Sequence, residues 1–387
     1  MTDRLEVTVL MPCLNEADTI VACVEEAQKA LREMGTEGEV LVADNGSQDG
    51  SQALAASLGA RVIQVRERGY GNALMGGIEA ARGRFVIMGD ADSSYDFGEL
   101  PKFLNKLREG YDVVQGCRLP GGGGSILPGA MPLLHRWWGN PMFTLLARWL
   151  VGSPIHDIYC GLRGFRRDWQ LALNQRCTGM EFATEMMIKA SLTHARIAEV
   201  PVTLYPDGRK AHAPHLKTFR DGWRTLRFFL LCSPRWLFLV PGVFLILLGL
   251  IGYGLALPGA HVFRATLDAH TLLFASLAIM SGSQAVWFWV MTKTFAVSEG
   301  LLPPNELLER FHALATLERC LVLGGCAMLS GLLLLLLAVR QWYLAGFGPL
   351  DYAHTMRFVI PGATLSFLGL QGALSSFVVS MLLMHRR

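Results

Sequence analysis

The stretch RGRFVIMGDADSSYDF ends an apolar run on Asp90 and Asp92, set on either side of a small Ala91. Two carboxylates so placed can hold a hard divalent cation, Mg²⁺ or Mn²⁺, which in turn binds a diphosphate and offsets charge on a departing group. Alone, an Asp-x-Asp pair also caps turns, so its weight depends on what surrounds it. Two other apolar runs end in polar turns, Pro12-Cys13-Leu14-Asn15-Glu16 and Asp44-Asn45-Gly46-Ser47-Gln48-Asp49-Gly50. Cations follow further along: Arg118 opens a glycine-rich loop, Arg136 stands beside tryptophans, and Arg209, Lys210, His215 and Lys217 form a basic run.

These residues need a scaffold that brings strand ends together. Residues 7–11, 39–44, 61–65, 85–89 and 112–115 are short apolar runs bounded by Gly, Pro, Asn or Asp, the signature of strands. Between the first two, Ile20, Val24, Ala27, Leu31 and Met34 recur at steps of four and three, one apolar stripe of a helix. Such alternation predicts an α/β domain over 1–210 with a mostly parallel sheet, helices on both faces and ligands at the carboxyl ends of the strands.

The rest of the chain differs in composition. Over 387 residues it is 51% hydrophobic and 17% charged, which excludes an ordinary soluble enzyme. Stretches 236–257, 271–292, 320–339 and 358–384 approach the ~20 residues that span a bilayer, so 236–387 is predicted to be an all-α transmembrane domain of four helices. An amphipathic interfacial segment, 211–235, leads into it. Lys217, Arg220, Arg224, Arg227 and Arg235 before the first span and Arg386-Arg387 after the last place both ends in the cytoplasm by the positive-inside rule. The start, MTDRLEVTVLMP, lacks signal-peptide character, so the first domain is expected on the cytoplasmic face of the inner (plasma) membrane. A net charge of +3 without a clustered basic face argues against nucleic acid. Eight cysteines without CxxC or Cys/His zinc spacing read as reduced thiols. Glycines such as Gly324, Gly331 and Gly369 allow close helix packing, within one chain or in a homo-oligomer.

Seven motifs in order, MPCLNEADTI, VADNGSQDGS, GYGNALMGGIEAARGRFVIMGDADSSYDF, GCR with its glycine-rich loop, HDIYCGLRGFRRD, GMEFATEM and EVPVTLYPDGRKAHAPHLK, resemble a family-2 glycosyltransferase. The resemblance covers the first ~230 residues. It is closest to the polyprenol-phosphate sugar transferases typified by dolichol-phosphate mannose and glucose synthases. It implies the GT-A (Rossmann-like) fold, a UDP- or GDP-hexose donor, a polyprenyl phosphate acceptor and Mn²⁺ or Mg²⁺.

Carried over by position, the resemblance sets Pro12, Leu14 and Glu16 against the nucleotide and Asp44 near the base. Asp90, Ala91 and Asp92 meet the nucleotide sugar, with Asp90, Asp92 and Ser94 toward the metal. Ser94 stands where relatives often carry Gln, and Leu14 where they carry Tyr. Arg118 and Arg136 grip the acceptor phosphate, with Asn140 where relatives have Ser. Arg136 also suits snorkelling to lipid headgroups from a helix carrying Trp137, Trp138, Phe143, Leu146 and Trp149. Arg209 is the leading member of a segment that closes over phosphate, although a basic run before a span needs no catalytic role. Asp157 faces the active site in the resemblance, where it orients a sugar hydroxyl or the acceptor; on its own it reads as a turn or helix cap. Glu181 and Glu185 stand at i and i+4 on one helix face, Glu181 toward the sugar and Glu185 equally readable as solvated.

The activity so implied is inverting transfer of a hexose to the lipid phosphate, UDP-glucose being favoured over GDP-mannose as donor because GDADSSYDF and GMEFATEM look more like the glucose branch. Two other readings use the same features. A processive membrane polysaccharide synthase would add a Gln-x-x-Arg-Trp motif, which the chain lacks. A transporter or flippase with a nucleotide-binding domain would call for ionisable groups within the spans, which offer mainly Ser, Thr and Gln such as Ser281, Gln284, Thr364 and Gln371.

Overall fold

The computed structural model describes residues 5–209, 218–262, 265–300, 302, 304 and 306–384. The chain divides between Phe229 and Leu230 into two compact units.

In the first unit the strands are β1 (Val7–Cys13), β2 (Gly38–Asp44), β3 (Arg61–Gln64), β4 (Phe85–Met88), β5 (Val113–Cys117), β6 (Ser125–Ile126), β7 (Arg163–Arg166), β8 (Ile197–Pro201) and β9 (Thr203–Leu204). The helices are α1 (Ile20–Glu33), α2 (Ser51–Ser57), α3 (Tyr70–Ala80), α4 (Leu100–Arg108), α5 (Asn140–Val151), α6 (Arg167–Ala172), α7 (Phe182–Leu192) and α8 (Thr218–Cys232). Seven strands form one sheet in the order β3-β2-β1-β4-β7-β5-β8. Every pairing in it is parallel except those of β7, which runs antiparallel between β4 and β5. Val9, Leu10 and Met11 in β1 and all of β4 are buried, as strands covered on both faces must be. Register aligns Cys13 with Asp44, so β1 and β2 finish level, whereas β4 ends at Met88 opposite Leu10 and hands over to the Asp90–Asp92 turn before β1 is complete. The chain leaves β1 towards β2 and β3 on one side and returns to β4 on the other. That reversal opens a crevice at the carboxyl ends of β1 and β4.

The expected α1 stripe is the buried one, Ile20, Val24, Ala27 and Leu31, with Met34 closing the helix. The expected headgroup face, which runs from the turn at 135–139 into α5, needs correction at one residue. Phe143 is buried, 5.6 Å from the Tyr159 ring and 6.2 Å from Phe229, whereas Trp137, Trp138 and Trp149 are exposed. Both sides of this helix are apolar, so composition alone does not tell which side packs inward.

The second unit contains α9 (Val240–Ala256), α10 (Ala269–Ser298), α11 (Glu306–Leu314), α12 (Leu317–Leu344) and α13 (Tyr352–Leu383). Four of its helices, Arg235–Ala256, Ala269–Ser298, Leu317–Leu344 and Tyr352–Leu383, are long and apolar enough to cross a membrane. α12 and α13 touch through glycine: a Cβ on Gly331 would lie 2.5 Å from the Gly362 carbonyl oxygen. Gln371 donates to Gln284 Oε1 at 2.8 Å, so the expected intramembrane amides join α13 to α10.

Candidate active site

β4 delivers Asp90 and Asp92 into the crevice beside the end of β1. Asp90 Oδ1 accepts a hydrogen bond from the Tyr70 hydroxyl at 2.9 Å. Its other oxygen lies against Gly161, where a Cβ would come within 2.4 Å of Oδ2. Burial, and then the negative charge of Asp92, push the Asp90 carboxyl up to about 6. Ala91 is buried, and its carbonyl accepts from Thr19 Oγ1 at 2.6 Å, tying the turn to the start of α1. Ser94 donates to Asp92 Oδ1 through its backbone N–H at 3.0 Å and through its hydroxyl, so it supports the Asp92 carboxylate.

Arg209 closes this group. Its Nε reaches Glu16 Oε2 at 2.8 Å, Nη2 lies 3.2 Å from Asp92 Oδ2, and Nη1 reaches Asp207 Oδ2 at 2.9 Å. The backbone delivers it there: Tyr205 N–H donates to the Ser94 carbonyl and Gly208 N–H to the Asp92 carbonyl, both at 2.9 Å. Lys210, His215 and Lys217 lie outside the described residues. Glu16 is buried, and Pro12 and Leu14 are half-buried beside it at the end of β1. Asp44 turns inward. At 1% exposure its carboxylate accepts from Gly46 N–H at 2.9 Å, from Ser47 N–H and from Gln52 Nε2 at 2.6 Å, so it holds its own turn.

A second charged group sits at the end of β5. Arg118 and Asp157 are buried, with Nε donating to Oδ2 at 2.7 Å and Nη2 to Oδ1 at 2.9 Å. Glu199 holds the same loop, accepting from the Asp157 N–H at 3.1 Å and from the His156 N–H at 2.7 Å. Burial and the positive charge of Arg118 push the His135 imidazole below its usual value. Arg136 is half-buried with its guanidinium 5.7 Å from the Trp137 ring, and Asn140 is buried near Met131. The two charged groups meet around Tyr95 and Gly161: the Tyr95 hydroxyl accepts from Gly161 N–H at 2.8 Å, next to Asp90.

Tyr70, Tyr95, His135 and Glu199 are absent from the sequence-derived set. The signal that could have found Tyr70 is its position between two glycines at the head of the helix that precedes the Asp-x-Asp strand. Glu185, read from sequence as solvated, is 2% exposed; it accepts from the N–H groups of Arg176 and Cys177 and pairs with Lys189 at 2.9 Å. Glu181 is half-buried one turn earlier.

Among the described residues no three His, Cys, Asp or Glu side chains converge as a metal cage. Two hard carboxylates fit Mg²⁺ or Mn²⁺, which keep most of their positions for phosphate oxygens and water. Burial raises Asp90 first and the like charge of Asp92 second, and a cation bound between the carboxylates would relieve that repulsion.

Residues 8–171 match Glycosyl transferase family 2, and residues 290–383 match the Glycosyltransferase family 2 C-terminal transmembrane region. Low-salt glycan biosynthesis hexosyltransferase Agl6 of Haloferax volcanii is 36% identical over 376 residues, 97% of this chain and 88% of that protein. A dolichyl-phosphate hexose transferase of the same organism is 32% identical over 219 residues, 56% of this chain and 89% of the relative. Among solved structures, glucosyl-3-phosphoglycerate synthase from Mycobacterium tuberculosis with Mn²⁺ and UDP-glucose aligns with a TM-score of 0.48 at 19% identity, over 59% of this chain and 79% of the other.

Proposed function

We propose that this chain, which belongs to glycosyltransferase family 2 and is a membrane glycosyltransferase, transfers a hexose from a nucleotide sugar to the phosphate of a polyprenyl phosphate with inversion, UDP-glucose being the favoured donor. The observation that carries the reading is the meeting of Asp90, Asp92, Glu16 and Arg209 at the crevice between β1 and β4, where a doubly wound sheet binds its ligand. The naming of one relative as a dolichyl-phosphate hexose transferase supports the acceptor class. Four helices among the described residues are long and apolar enough to anchor the chain in a membrane, where such a lipid resides, and this supports the same acceptor class.

In this reading the diphosphate lies over Asp90 and Asp92, with Arg209 moving from carboxylate to phosphate. A bound divalent cation would offset the charge that gathers on the leaving diphosphate. Pro12, Leu14, Glu16 and the Asp44 turn form the floor under the nucleotide. Arg118, Arg136 and Asn140 receive the acceptor phosphate, and Asp157 fixes the guanidinium of Arg118. A phosphate monoester with a second pKa of ~6 is mostly dianionic at neutral pH, so no strong base is required. Catalysis then comes from alignment: the acceptor oxygen sits opposite the leaving group, and guanidinium charge lowers the repulsion between two anions. One displacement turns an α-linked donor into a β-linked lipid phosphate sugar. The basic approach to the first span, Arg220, Arg224, Arg227 and Arg235, supports a cytoplasmic catalytic side at the plasma membrane.

The test is a panel of UDP- and GDP-hexoses with Mn²⁺ or Mg²⁺ and a short-chain polyprenyl phosphate, using the full chain in detergent. A radiolabelled lipid product from one donor, lost in Asp92→Asn, is expected. Transfer that survives Asp92→Asn unchanged, or no transfer to lipid phosphate from any donor, overturns the reading.

A further inference from the structure

We propose that Tyr70 is a positioning residue that holds Asp90 to one-oxygen coordination and thereby favours a small divalent cation over Ca²⁺. This rests on the metal-assisted reading above and adds a determinant to it. The Tyr70 hydroxyl occupies Asp90 Oδ1 at 2.9 Å, leaving Oδ2 as the carboxylate's available donor. Gly161 packs against the other side of the carboxylate, and the Tyr95 hydroxyl fixes Gly161 through its N–H at 2.8 Å. Asp90 is thus gripped from two sides.

Tyr70 is itself held from several elements. It is the first residue of α3, whose Gly71 N–H donates to the Thr178 carbonyl at 3.0 Å. Gly69 and Gly71 flank it because the 177–178 backbone lies against them: a Cβ at either position would come within 2.3 Å of Thr178 O or 2.4 Å of Cys177 O. Gly69 N–H donates to Asn45 Oδ1 at 2.7 Å, and the Glu185 carboxylate anchors Cys177 N–H at 2.8 Å. Such convergence leaves the hydroxyl little freedom to turn from Asp90. Ca²⁺ accepts bidentate carboxylates and 6–8 oxygens, whereas Mg²⁺ and Mn²⁺ suit single-oxygen ligands in smaller shells. A hydroxyl bound to one oxygen of the carboxylate therefore selects between them, as partners of metal ligands do elsewhere.

The experiment titrates the full chain in detergent with Mn²⁺ alone, following free Mn²⁺ by its paramagnetic resonance signal, and repeats it with Ca²⁺ as competitor. Tyr70→Phe is expected to weaken Mn²⁺ binding about tenfold and to lower the Mn²⁺ to Ca²⁺ preference. On an Asp90→Ala background it is expected to add nothing, because the hydroxyl then has no carboxylate to hold. A folding defect would appear on both backgrounds, so the cycle separates it from positioning. Unchanged Mn²⁺ affinity and preference in Tyr70→Phe, alongside lost binding in Asp92→Asn, overturns the role of Tyr70 and leaves the metal site standing. Wild-type Mn²⁺ binding in Asp92→Asn overturns the metal reading, and the proposal with it.

Discussion

Arg118 and Asp157 form a two-pronged pair in which Asp157 is wholly buried and the Arg118 backbone N–H adds a third bond to Oδ2 at 3.1 Å. The Arg118 guanidinium is thus preassembled by a carboxylate behind it, as the proposed grip on the acceptor phosphate requires. Removing either partner strands a buried charge, which costs about 3–5 kcal/mol. Asp157→Ala and Arg118→Ala are therefore expected to lower the thermal midpoint by similar amounts, and the double variant by less than their sum. Arg118→Lys keeps the charge and loses the fork. It is expected to raise KM for the lipid phosphate while leaving KM for the nucleotide sugar unchanged; the reverse pattern would remove Arg118 from the acceptor side.

On the metal-assisted reading, the charge of Arg209 would compete with a cation. With Nη2 3.2 Å from Asp92 and Nε on Glu16, the guanidinium offsets the negative charge that draws a metal ion. Arg209→Ala is expected to bind Mn²⁺ alone more tightly, by about tenfold or ~1.4 kcal/mol, yet to bind nucleotide sugar less well. Calorimetry with each ligand separately checks the opposite signs. A loss of both affinities would mean that Arg209 only shapes the loop.

The proton is a further competitor. An ordinary Asp carboxyl titrates near ~3.9, and burial beside Asp92 raises Asp90 to about 6. The folded protein therefore favours protonated Asp90. Its stabilising contribution is complete below the ordinary carboxyl range and disappears as pH rises through about 6. Asp90→Asn, which mimics the protonated form, is expected to raise the thermal midpoint of metal-free protein at pH 7.5 and to change it little at pH 4. Mn²⁺ affinity runs the other way, falling as pH drops below about 6, by up to ~tenfold per pH unit for one displaced proton. Melting curves over pH 4 to 8 and Mn²⁺ titrations over pH 5 to 8 check both signs.

What the sequence disclosed follows from how each element is stabilised. β1 and β4 are apolar runs buried on both faces, and α1 carries one clean stripe, so their periods declare them. β7 hides behind arginines. Arg163 is wholly buried, yet it sits in a strand because its guanidinium finds the carbonyls of Cys160 and Ala183 at 2.7 and 2.8 Å, partners supplied only by the folded chain. The Asp-x-Asp pair was legible from type and spacing. The direction of Asp44 was not, since its partner Gln52 lies across the following loop, in the first turn of α2. Tyr70 and Glu185 were equally hidden, because their roles depend on a loop at 176–178 that no local pattern announces.

That loop gives the last expectation. Glu181 caps the start of α7 and Glu185 lies one turn further on, a spacing that puts both on one face in the sequence, but the fold gives them different surroundings. Glu185 is buried, paired with Lys189 at 2.9 Å and bonded to the N–H groups of Arg176 and Cys177, while Glu181 is half-buried at the mouth of the helix. Glu185→Gln keeps the shape but leaves Lys189 without its countercharge, so a loss of about 3–5 kcal/mol is expected. The 177–178 backbone then loosens its hold on Gly71 and on Tyr70 next to it, so Mn²⁺ affinity is expected to fall with stability. Glu181→Gln touches none of these bonds and is expected to leave stability within about 0.5 kcal/mol, while raising KM for the nucleotide sugar if its carboxylate meets a hydroxyl of the hexose. Denaturant melts and Mn²⁺ titrations on both variants separate the two glutamates, and equal stability losses would place Glu181 in the same buried network.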